Sequence, residues 1–100
     1  YIETAVMYQF SYRVISMQNA GQLPNYEAST SKLFSSEMGQ RIALSGTRMF
    51  GLNATLWEDG TPVSSFTRAY VGAVPASVRG GTSEVQRNII ATRGLGLPRG

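Results

Sequence analysis

One hundred residues with 42% hydrophobic content make one domain or a piece of one. The absence of cysteine and histidine removes disulfides, thiol chemistry, the usual zinc ligand sets and any imidazole base, leaving carboxylates, hydroxyls, backbone amides or a cofactor to do chemistry. The net charge of +3 comes from eight arginines and one lysine against six acids. It would suit a nucleic-acid surface, but Arg87 and Arg93 are six apart, about 240° around a helix, and share no face.

Residues 2 to 18 place Ile2, Val6, Phe10, Val14 and Met17 on one stripe and Tyr8, Tyr12 and Ile15 on a second, which predicts a helix covered on two sides. Tyr1 falls inside this periodic run with no start signal, as in a fragment that begins within a longer chain; an engineered or processed start is the alternative. Gly21 and Pro24 end the helix. Asn25 is a good N-cap for a second helix running to Phe50, with Glu27 in its first turn and Phe34, Met38 and Ile42 at spacing four beside Leu33, Leu44 and Met49. Ser29, Ser31, Ser35, Ser36, Gly39, Ser45 and Gly46 interrupt it, and close approach by neighbouring helices would compensate for their low propensity. Gly51 is its C-cap.

Residues 52 to 62 are turn chemistry around Asp59 and Gly60, with Trp57 read as covered by a neighbouring helix. From Pro62 a short helix takes in Val63, Phe66 and Tyr70, fades by Gly72 and is closed by Pro75. The last helix starts at Thr82 or Ser83, turns Val85, Ile89 and Ile90 inward and ends near Gly94. No strand, repeat, membrane span or signal peptide is visible. The prediction is an all-α antiparallel helical bundle of three long helices and one short one, with short connections.

The stretch 80 to 84, GGTSE, puts unpaired backbone N–H groups and two hydroxyls together where a helix begins. By itself this reads first as an ordinary N-cap after a tight turn and only second as an anion-binding turn. Its setting adds a resemblance. Residues 80 to 98, GGTSEVQRNIIATRGLGLP, are similar to the C-terminal signature of the acyl-CoA dehydrogenases. Residues 27 to 43, EASTSKLFSSEMGQRIA, resemble that family's Ala-Ser-x-x-Lys-x-Phe helix, and RMFG, residues 48 to 51, falls where the family has a Gln-x-x-Gly-Gly turn.

The resemblance implies the C-terminal helical-bundle domain of a flavoenzyme, occupying residues 1 to 100, with the flavin and substrate domains upstream. In such an enzyme a carboxylate removes the α-proton of an acyl-CoA thioester while the β-hydrogen leaves as hydride to FAD, giving a trans-2-enoyl-CoA. Residue by residue, Thr82 and Glu84 match positions that contact FAD. Gly51 matches the first glycine of a turn against the partner subunit's flavin, with Arg48 in place of the usual glutamine. Leu52 and Ala54 replace family glycines, which weakens that second contact. Arg68 and Tyr70 are candidates for the substrate side.

Where many members carry the catalytic glutamate, this chain has Gly80, whose backbone N–H remains a candidate donor to the thioester oxygen. Either the base lies on an earlier helix, as in isovaleryl-type and long-chain-type members, or this is a base-lacking subunit of a heteromeric dehydrogenase acting on bulky substrates such as steroid side chains. Glu3, Glu27, Glu37, Glu58 and Asp59 read as solvated or dipole-pairing acids, not as substitutes. The family further implies an electron-transfer flavoprotein or similar acceptor, a homo- or heterotetramer, no metal, no nucleic acid, and a bacterial cytoplasmic or mitochondrial matrix setting. The rival from another class is a flavin-free helical oligomerisation module, for which residues 80 to 84 are a plain cap.

Overall fold

The first helix, α1 (Ile2–Asn19), ends as its sequence requires. Gly21 adopts φ 71°, the Gly21 N–H bonds to the Gln18 carbonyl at 3.0 Å and the Gln22 N–H to that of Met17 at 2.9 Å. This paired closure satisfies two orphan carbonyls and needs a residue free to be left-handed. The computed structural model describes residues 1–57, 60–61 and 63–99 of the chain. Among these the elements that follow are α2 (Tyr26–Phe50), a 3-10 turn (Gly51–Thr55), α3 (Ser64–Ala76), α4 (Ser83–Ile89) and a π-turn (Ile90–Gly94), with no strand. The all-α prediction holds.

The chain forms two compact units, one of residues 1–35 and 81–100, the other of residues 36–80, so α2 contributes its first ten residues to the first unit and the rest to the second. In the first unit Phe10 meets Phe34 edge-on, ring centroids 5.5 Å apart. Phe10, Val14 and Met17 are half-buried. The second stripe of α1 is not covered within this chain: Tyr8, Tyr12 and Ile15 are all more than half exposed. Arg13 reaches Glu27 at 3.8 Å, and Glu27 is buried although its partner is largely exposed. Gly94 has no room for a side chain, since a Cβ there would lie 3.1 Å from the Tyr26 ring.

In the second unit the core is made of small residues. Met38 and Ala43 are buried, as is Gly46, where a Cβ would come within 2.2 Å of the Phe66 ring. The close approach expected of the small residues of α2 therefore occurs at Gly46. Gly39 has open space around it. Ile42, Leu44 and Met49, expected on the apolar stripe, are exposed, because the neighbour that packs here meets the Ala43 and Gly46 side of the helix. Phe50 and Phe66 meet at 5.3 Å, the buried Thr67 hydroxyl donates to the Ala54 carbonyl at 2.7 Å, and Gln40 donates to the Ala73 carbonyl at 3.2 Å.

Two boundaries differ from the sequence reading. Helix α3 does not fade at Gly72 but continues to Ala76 with Pro75 inside its last turn. Proline removes its own N–H bond and crowds the carbonyl four residues back, and a helix absorbs both more easily in its last turn. In the last helix the α-helical part is 7 residues, after which the turn widens into the π form, with the Leu95 N–H reaching back to Ile90 at 3.1 Å. Thus α3, with 13 residues, is longer than α4.

Candidate functional site

The turn before α4 is built by glycine. Gly80 has φ 73° and Gly81 φ 102°, conformations that L side chains rarely adopt. The Gly81 position is also crowded, because a Cβ would lie 2.7 Å from Nε2 of Gln86, whose side chain would have to move. Gln86 is buried, whereas Val85, expected to point inward, is 48% exposed. The register is set by the cap: Thr82 is extended (φ −65°, ψ 164°), its Oγ1 accepts the Val85 N–H at 3.4 Å and its carbonyl the Gln86 N–H at 2.9 Å. With Thr82 fixed as N-cap, Gln86 comes round to the Gly81 side.

Glu84 is exposed, and its carboxyl is held below its ordinary value of 4.5. The cause is first its own backbone N–H, then the Thr82 hydroxyl, opposed by desolvation and helped least by the nearby Arg87 cation. Thr82 and Glu84 are thus brought together at the start of α4. A carboxylate so held is a good acceptor and a poor general base. Across the first unit, the Lys32 ammonium of α2 donates to the Gly81 carbonyl. No role for that lysine was legible in the sequence beyond its place in the quoted helix motif.

The other candidates lie in the second unit. Arg48 is exposed in the last turn of α2, and Gly51 follows at φ 53° with open space where a side chain would stand. Leu52 is 88% exposed, so its bulk stands in solvent beside Gly51, and Ala54 is buried. Arg68 lies over the Trp57 ring, 5.6 Å from its centroid, a cation–π contact. Trp57 is still 56% exposed, less covered than expected, and Tyr70 is 44% exposed. Of the acids, Glu27 is not solvated but buried and paired with Arg13. Glu58 and Asp59 lie outside the described residues. No group of acids capable of holding a metal occurs among the described residues, and no helix there is long and apolar enough to cross a membrane.

The model of the acyl-CoA dehydrogenase C-terminal domain matches residues 1–95 of the chain. The chain belongs to the acyl-CoA dehydrogenase family. No curated protein matches it in sequence. Among solved structures, the acyl-CoA dehydrogenase domain described here is similar to a chain in the crystal structure of the ChsE4-ChsE5 complex from Mycobacterium tuberculosis, at 28% identity and a TM-score of 0.84. The match covers 99% of this chain and 26% of that one. The dehydrogenase domain thus spans about a quarter of the length of its structural neighbour.

Proposed function

We propose that the chain is the C-terminal part of an FAD-dependent acyl-CoA dehydrogenase that converts an acyl-CoA thioester to the trans-2-enoyl-CoA. The observation that carries this reading is the turn at residues 80 to 84, two left-handed glycines, a threonine cap and an ionised carboxylate, inside a domain of this family. These groups fit the hydroxyl-bearing part of FAD. Glu84 can accept from hydroxyls, whereas its charge opposes a pyrophosphate, and the Thr82 oxygen accepts one long bond and keeps a lone pair to offer. When bound, FAD supplies the hydride acceptor.

The chain's own residues then orient and polarise. Thr82 and Glu84 hold the cofactor's hydroxyl side, and Gly80 places no side chain between its backbone and the thioester end. The α-proton goes to a base outside residues 1 to 100, because Gly80 has no titratable group and Glu84 is held ionised and weakly basic. Arg48 and Gly51 form the second cofactor contact, on a neighbouring subunit's flavin. An electron-transfer flavoprotein or similar acceptor, a cytoplasmic setting and a tetrameric assembly belong to the same proposal.

A second reading, a base-lacking subunit of a heteromeric dehydrogenase, is favoured by Gly80 together with the likeness to a chain from a complex of two named components. One experiment separates the readings. The intact protein is purified alone, its absorbance recorded, and acyl-CoAs, including those with bulky polycyclic side chains, are added anaerobically. Flavin bands that bleach establish the dehydrogenase and a base within the same chain. Bands that bleach only after a partner subunit is added establish the heteromer, and a colourless, folded protein leaves the flavin-free module.

A further inference from the structure

We infer that Lys32 is a positioning residue for the cofactor-contacting turn: its ammonium, donating to the Gly81 carbonyl, orients the peptide joining Gly81 to Thr82 and so sets where Thr82 and Glu84 stand. The assignment rests on the reading of that turn as a flavin contact.

Consecutive glycines do not choose one conformation by themselves, since each populates left- and right-handed regions with similar ease. Gly80 and Gly81 nevertheless both take positive φ, so something beyond the local chain must select it. The cap is a weak selector, because the bond from the Val85 N–H to the Thr82 oxygen is long at 3.4 Å. Side chains also reach the turn: the end of the Gln86 amide lies where a Gly81 side chain would begin, and Lys32 holds the Gly81 carbonyl.

The peptide unit is planar, so fixing the direction of the Gly81 oxygen also fixes the direction of the Thr82 N–H and the position of the Thr82 α-carbon. Glu84 follows, because the Thr82 hydroxyl donates to its carboxylate. Lys32 is well placed to act as a fixed point. It stands in the first turns of a 25-residue helix, its side chain is half-buried, and Ser35 donates to its carbonyl at 3.1 Å. A bond from a charged donor is stronger and more directional than a neutral one.

The test uses the intact protein with Lys32→Met, which keeps the apolar stem and removes the donor, and Lys32→Arg, which restores a cationic donor. Apoprotein is titrated with FAD, and amide hydrogen exchange is followed over residues 81 to 86. The expected result is about tenfold weaker FAD binding and faster exchange in Lys32→Met, both partly recovered in Lys32→Arg. Gly81→Ala, which strains the same peptide, should reproduce the loss, and it serves as the second variant should Lys32→Met fail to fold. A Lys32→Met protein with lowered thermal stability but unchanged FAD affinity and exchange would make Lys32 merely structural and overturn the assignment. A wild-type apoprotein that binds no FAD overturns the flavin reading and this assignment with it.

Discussion

The two units bury different things. In residues 1–35 and 81–100 the buried residues are polar, namely Glu27, Ser29 and Gln86, while in residues 36–80 they include Met38, Ala43 and Ala54 beside Ser64 and Thr67. The first unit is held by directed contacts, Arg13 to Glu27 and Lys32 to Gly81, and the second by small residues that let a ring approach a helix backbone. Directed polar contacts need particular residue types, whereas close packing needs a particular volume that several residues can supply.

If this contrast is right, volume changes should hurt the second unit most. Gly46→Ala should destabilise the intact protein by about 2 kcal/mol despite the better helix propensity of alanine, since the new Cβ meets the Phe66 ring. Thermal denaturation measures this, and Phe66→Leu in the same background should recover part of the loss. No recovery would show that the strain lies elsewhere. Gly21→Ala provides the contrast: its site has open space and only the left-handed backbone to strain, so the loss should be about 1 kcal/mol.

A buried polar pair inside the second unit tests the contrast from the other side. Thr67→Val keeps the shape and removes the hydroxyl that donates to Ala54, leaving a buried carbonyl short of a partner, with an expected cost of about 1.5 kcal/mol in denaturant unfolding. A change near zero would mean that packing alone holds this unit. In the first unit, Arg13→Met should cost about 1 kcal/mol, because Arg13 is mostly exposed while the carboxylate it serves is not. Raised salt should shrink the difference between wild type and variant.

The smallest effect is expected at Glu84. Its folded carboxyl is depressed, so its contribution is fully present above the ordinary value of 4.5 and is lost as pH falls through the lower folded value. Glu84→Gln should lower stability slightly near neutrality, and the two profiles should converge as pH falls through the lower folded value. Equal acid slopes in the two proteins would show that the Thr82 and Arg87 contacts do not persist in solution.

Local rules carried the sequence reading well where the answer depends on neighbours in the chain. The closure of α1 at Gly21, the start of α2 after Asn25, its end at Gly51 and the cap at Thr82 all follow from residues within a few positions. The misassigned faces depended on something distant. Val85 looked like the inward residue, but the cap and Gly81 brought Gln86 in; Ile42 continued a stripe that the Phe66 ring abandoned for Ala43 and Gly46.

At the candidate site, local rules named the glycine turn and the cap, while the roles of Gly80, Thr82 and Glu84 came only from the resemblance to the family. The same reading could not find the hold of Lys32 on Gly81, which joins residues 49 apart. The sequence by itself therefore determined an all-helical chain, the closures at Gly21 and Gly51 and the turn on which a cofactor reading rests. Which face of each helix is covered, and which side chain steadies that turn, were decided by tertiary structure, since both depend on groups that meet only after the helices have packed.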